Sequence, residues 1–165
     1  MFNRGLFKSS PGIHSTPMSL FNQLNDEFHF NLDPCATDET AKCFHHYDPE
    51  MDGLSLPWMG RVFCNPPYGP QIRKWVQKAY DEILTGHAEV VVLLLPSRTD
   101  TRWWHVWVLP FASEIRFIRG RVRFGGAKTG APFPSCIVVF RAPKKRRFPW
   151  FWAERKDSMV REGSA

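Results

Sequence analysis

The run Val90-Val-Val-Leu-Leu-Leu95 constrains this chain more than any other stretch. It carries no polar residue on either face of a strand and half of it is β-branched, so it suits a strand buried on both sides. Such a strand sits inside a parallel sheet with helices on each face, which selects an α/β fold. Even extended to Pro96 the run is far short of the roughly 20 apolar residues that a bilayer requires, so a membrane protein is not expected.

The flanking patterns agree. Ser15 or Thr16 followed by Pro17 suits a helix start, and Leu20, Phe21, Leu24 and Phe28 recur at helical spacing. Phe28-His-Phe-Asn-Leu32 alternates apolar with polar residues into Asp33-Pro34, the pattern of a short first strand. Arg61 to Cys64 is a second apolar run, stopped by Asn65-Pro-Pro-Tyr-Gly-Pro70, whose three prolines exclude a ladder. Ile72, Trp75, Val76, Ala79, Tyr80 and Ile83 then share one helical face, closed by Gly86. Thr101 to Leu109 reads as a Trp-rich helix, and Glu114 to Ile118, Val122 to Phe124 and Ser135 to Phe140 as strands. The expected architecture is a mostly parallel sheet with an antiparallel C-terminal strand. A catalytic domain is expected over residues 15–142, between a flexible segment at 1–14 and a basic, aromatic tail at 143–165.

At 165 residues with 43% hydrophobic and 15% aromatic content, the chain has enough apolar material for one compact core. Its four cysteines form no CxxC pair and no signal segment precedes them, which leads us to expect reduced thiols in a cytoplasm. Cys35, Cys43, His45 and His46 do not follow a common zinc-ligand spacing, so no metal is expected. The net charge of +6 favours a polyanionic partner. From Arg141 onward eight Lys and Arg face three Asp and Glu, so most of that excess lies at the C-terminal end, where Lys144 to Trp152 interleaves cations with aromatics.

The chemistry concentrates in Asn65-Pro66-Pro67-Tyr68. A conjugated amine is a weak nucleophile because its lone pair is delocalised. The Asn65 amide oxygen and the Pro66 carbonyl can accept its two hydrogens and localise that pair, with no strong base required. Consecutive prolines fix φ and leave no competing N–H, so the acceptor is preorganised. Tyr68 offers a flat face to a planar base, and the loop follows a strand, where open α/β sheets place their ligands.

Beyond this loop the sequence resembles the phage-type, Dam-like DNA N6-adenine methyltransferases, part of the amino-methyltransferase superfamily with an (Asp/Asn)-Pro-Pro-(Tyr/Phe/Trp) motif. The resemblance rests on Thr16-Pro17, Leu32-Asp33-Pro34-Cys35-Ala36, Ala41-Lys42-Cys43, Asp52-Gly53-Leu54 with Trp58, and Asn65 to Tyr68. It continues through Leu94 to Thr101 with Trp103-Trp104, and Gly120-Arg121 with Phe124, in the expected order over about residues 14 to 141. It implies a Rossmann-like, S-adenosylmethionine-dependent methyltransferase fold, in a phage or prophage protein of a bacterial host. It also implies that Thr16 and Pro17 meet the methionine end of S-adenosylmethionine, that Asp33, its turn shaped by Pro34, meets the ammonium group or orders a water there, and that Asp52 accepts from the adenine amine. Where the superfamily's first loop is usually glycine-rich, Asp33 to Glu39 has no glycine. The acid for the ribose stays open among Glu39, Asp48 and Glu50.

The expected partner is double-stranded DNA, its target adenine flipped out and stacked on Tyr68. Arg98 and Arg102 after the central strand, and Arg121, Arg123 and Lys128 around Gly125-Gly126, are the expected DNA contacts, with exposed charge or helix capping as the alternative. The tryptophans at 103 and 104 read equally as core. Two other functions fit the same motifs: methylation of a glutamine side-chain amide in a protein, and a non-catalytic DNA-binding module. Oligomeric state has no signature here.

Overall fold

A computed structural model describes residues 15–142. The expectations for segments 1–14 and 143–165 lie outside the described residues. Six strands form one sheet: β1 (Leu32–Asp33), β2 (His45–His46), β3 (Gly60–Cys64), β4 (Ala88–Pro96), β5 (Glu114–Phe117) and β6 (Ser135–Arg141), in the order β2-β1-β3-β4-β6-β5. Pairings from β2 through β4 are parallel, while β6 runs antiparallel to both β4 and β5. β6 alone therefore opposes the other strands. The mostly parallel sheet with an antiparallel C-terminal strand is as expected.

Alternation along the central strands divides the core. Val91, Leu93 and Leu95 of β4 join Val62, Cys64, Val138 and Phe140 against α2 (Ile72–Leu84). Val90, Val92 and Leu94 join Phe63, Ile137 and Val139 against Phe21, Leu24 and Phe28 of α1 (Met18–Phe28). β4 is thus buried from Val90 to Pro96, as its composition requires. One buried charge stitches the α2 layer together. Glu82, 4% exposed, accepts from the Trp58 main-chain N–H at 3.0 Å, from His87 Nδ1 at 2.8 Å and from Lys78. Burial would raise its carboxyl, but Lys78, the Trp58 N–H and His87 together hold it below the usual range.

Several local expectations are corrected. α1 starts at Met18 with Pro17 as its cap residue, and no side chain caps it. Phe28 to Leu32 is not a strand: α1 runs through Phe28, His29 turns into the left-handed region (φ 53°), and Asn25 Oδ1 accepts the Phe30 N–H at 2.8 Å. Phe28 and Phe30 consequently stack on each other, 5.6 Å apart, and only Leu32–Asp33 pairs in the sheet. The Trp-rich helix is a π-helical turn, Trp104–Val108, leading into a short α3 (Leu109–Phe111). Val122 to Phe124 is not a strand either. Gly125 and Gly126 take positive φ and coil the chain into a 3-10 turn over Phe124–Gly126. β2, at the sheet edge, lies in a stretch with no strand pattern. Among the described residues no helix is long and apolar enough to cross a membrane.

Candidate functional site

Because β1, β3 and β4 are parallel, their C-terminal ends bring Asp33-Pro34, Asn65 to Tyr68 and Pro96-Ser-Arg98 to one edge of the sheet. The antiparallel β6 brings its N-terminal end to the same edge, with Phe133 just before it. There a cavity of about 250 Å³ opens between Tyr68, Gly69 and Ile72 on one side and Pro96, Arg98 and Trp103 on the other, with Phe133 on its wall. Asn65 is half-buried and Pro66 buried beside it.

Tyr68 is the hub. Its hydroxyl donates to the Leu94 carbonyl at 3.1 Å, and its ring meets Phe124 at 5.9 Å and Phe133 at 5.3 Å in near-perpendicular contacts. Burial pushes its phenol well above the ordinary range, so it stays a neutral donor. Burial also raises the Cys64 thiol, and pushes Cys136 up to about 11 and Cys43 up to about 12. These thiols stay protonated and are poor nucleophiles.

Asp33, 3% exposed, holds its carboxyl on two main-chain N–H groups, Cys35 to Oδ1 at 3.3 Å and Lys42 to Oδ2 at 3.2 Å. Burial raises it to about 6 despite these donors and the nearby His46 and Lys42 charges. Pro34 is buried next to it, and the turn carrying Asp52 is packed directly against Pro34. A Cβ on Gly53 would lie 1.9 Å from the Pro34 oxygen. Asp52 itself has φ 56° and receives the Leu54 N–H at 3.3 Å and the Ser55 hydroxyl at 2.6 Å. Its carboxylate thus already orders its own turn. Thr16 is buried and Pro17 half-buried at the head of α1, which Lys42 joins to the Asp33 loop through a 3.0 Å bond from Nζ to Ser15 Oγ.

Arg98, Arg102, Arg121, Arg123 and Lys128 are all exposed, and none forms an ion pair among the described residues. Arg98 lines the cavity, whereas Arg102 does not. Arg121 and Arg123 flank buried Val122 in a loop fastened to Tyr68 through Phe124, and Lys128 lies further along that loop. The two tryptophans divide their tasks: Trp104 is 1% exposed in the core, and Trp103 lines the cavity. The Thr101 hydroxyl donates back to the Arg98 carbonyl at 2.7 Å. Phe133 escaped the sequence reading, although its setting in Pro132-Phe-Pro134 just before a strand is a local sign of a fixed aromatic. Among the described residues no group of three His, Cys, Asp or Glu side chains is arranged to hold a metal.

A sheet of this order, with an acid at the end of β1 and a proline-rich loop at the end of β3, defines a methyltransferase-like α/β protein. More particularly, the chain belongs to the DNA N-6-adenine-methyltransferase (Dam) family, whose model matches residues 6–165. No curated protein matches the chain.

Proposed function

We propose that this protein transfers a methyl group from S-adenosylmethionine to the exocyclic amine of a flipped adenine in double-stranded DNA. The observation that carries this reading is that Tyr68, which ends the Asn65-Pro-Pro-Tyr68 motif, lines a cavity at the edge where the parallel strands end. The cavity is bordered by three aromatic side chains, Tyr68, Trp103 and Phe133, which suits a planar base.

The residues present suit the cofactor. Among the described residues the buried Asp33 carboxyl is hydrogen-bonded by main-chain N–H groups alone, which suits an ammonium group, and Lys42 ties its loop to the α1 head that carries Thr16 and Pro17. Asp52, on the turn packed against Pro34, would accept from the same ligand's adenine amine. The bound cofactor supplies an electrophilic methyl on a sulfonium. Asn65 Oδ1 and the Pro66 carbonyl would accept the two amine hydrogens and localise the nitrogen lone pair for transfer. Among the described residues no Asp, Glu or His lines the cavity and Tyr68 stays neutral, in keeping with an amine that loses its proton only after transfer. Trp103, Tyr68 and Phe133 exclude water around the base, and the exposed Arg98, Arg102, Arg121, Arg123 and Lys128 face phosphate.

Incubation with labelled S-adenosylmethionine and mixed-sequence duplex, followed by digestion to nucleosides, should place label in N6-methyladenine. Asn65→Ala should abolish transfer and keep cofactor binding. Label in cytosine or in protein glutamine would overturn the substrate assignment. Binding of DNA without thermal stabilisation by the cofactor would identify a non-catalytic module.

A further inference from the structure

Methyltransferases that hold an amino-acid carboxylate with a glycine-rich loop use free main-chain N–H groups. In this chain the corresponding loop has none of three such groups to offer. The Cys35 N–H goes to Asp33 Oδ1 at 3.3 Å, the Ala36 N–H to the Tyr47 carbonyl at 3.2 Å and the Thr37 N–H to Thr40 Oγ1 at 2.9 Å. Further along, the Ala41 N–H is taken by the Thr37 carbonyl and the Lys42 N–H by Asp33 Oδ2. With these N–H groups engaged, a carboxylate reaching this place has to draw on other donors.

Lys42 is that donor. It is half-buried, its Nζ lies 3.0 Å from Ser15 Oγ and 3.5 Å from Met18 Sδ, and among the described residues it has no carboxylate in ion-pair contact. A partly desolvated ammonium resting on a hydroxyl and a thioether, with the Asp33 carboxyl near but not in contact, is suited to a direct anionic partner. Its own main-chain N–H holds Asp33, so one residue sets a cation and a buried acid side by side. The uncapped first turn of α1 adds further N–H groups at the same spot. This pairing is complementary to an α-amino-carboxylate zwitterion.

Resting on the cofactor reading above, we infer that Lys42 binds the methionine carboxylate of the cofactor and takes over the task of the missing glycine loop. Asp33 receives the ammonium group of the same zwitterion. Lys42 is a binding and positioning residue; it does not touch the transferred methyl.

The test is calorimetric titration of the full chain with S-adenosylhomocysteine and with 5′-methylthioadenosine, which shares the nucleoside and thioether but lacks the amino-acid end. Lys42→Met should weaken S-adenosylhomocysteine by about ten- to a hundredfold, the worth of a hydrogen bond to a charged group, and leave 5′-methylthioadenosine unchanged. Lys42→Arg should restore most of the loss. Equal weakening of both ligands would mean that Lys42 only braces the α1 head, and unaltered S-adenosylhomocysteine affinity would equally overturn the inference. Failure of the unaltered chain to bind either ligand would instead remove the cofactor reading itself.

Discussion

The Tyr68 hydroxyl donates to the Leu94 carbonyl at 3.1 Å, which fastens the last residue of the Asn65 loop to the neighbouring central strand. Tyr68→Phe keeps the ring contacts with Phe124 and Phe133 and loses this bond. Urea unfolding should register a loss of about 1 kcal/mol. Tyr68→Ala also empties the space between the two phenylalanines and should cost about 3–5 kcal/mol. A Phe variant as stable as the parent would show that the bond does not hold the loop.

Asp33 titrates near 3.8 when unfolded and is raised to about 6 in the fold, because burial penalises its charge. A group raised in this way contributes its full stability below pH 3.8 and loses it as pH rises through 6, a span of about 3 kcal/mol. Asp33→Asn should escape that loss and be the more stable protein above pH 6, with the difference gone near pH 3.8. S-Adenosylhomocysteine binding should move the opposite way, strengthening through pH 6 in the parent and staying weak in the variant. Parallel thermal melts and titrations between pH 4 and 8 check both slopes.

Gly53 is required by contact with another segment. A Cβ there would sit 1.9 Å from the Pro34 oxygen and 3.3 Å from Trp75, so Gly53→Ala must push the Asp52 turn away from the Asp33 loop. We expect about 1–3 kcal/mol of destabilisation and a weaker hold on the adenine end of the cofactor. Differential scanning calorimetry with and without ligand measures the two effects; unchanged values for both would mean that the turn has room to shift freely.

For the exposed arginines the telling quantity is salt dependence. Each phosphate contact that is lost should reduce the slope of log K against log salt by about 0.9 for duplex DNA. Arg98→Ala and Arg123→Ala should each show that change, measured by fluorescence anisotropy between 50 and 200 mM salt, a range taken as roughly that over which such contacts are screened. A slope identical to the parent's would remove that residue from the DNA-facing surface.

The parts of the fold that could be read from sequence are those with local signals. Val90 to Leu95 is apolar on both faces, Ile72 to Ile83 keeps a helical period, and three prolines after Cys64 leave only a loop. The alternation at Phe28 to Leu32 misled because His29 turns left-handed, so Phe28 and Phe30 end on the same side. Val122 to Phe124 alternates equally well, yet the positive φ of Gly125 and Gly126 decides its conformation. His45 and His46 form an edge strand from polar residues, which leaves no apolar trace. At the site, the segments 33–34, 65–68 and 98 meet because each follows a parallel strand, a relationship visible from their order. Phe133 and Lys42 arrive from segments whose approach depends on the antiparallel β6 and on the chain between β1 and β2, and such non-local placement has no period to detect.

The wide turn at Trp104–Val108 bonds the Leu109 N–H to the Trp104 carbonyl, one residue further than an α-helix would. Each residue added to or removed from a helical segment rotates what precedes it by about 100°. The spacing between Thr101 and Leu109 therefore works like a vernier, and deleting one residue after Trp104 would carry Trp103 into the core position that Trp104 holds and Arg102 into the one that borders the cavity. Chain length at this point is itself a determinant of what the cavity admits, independent of which residues line it.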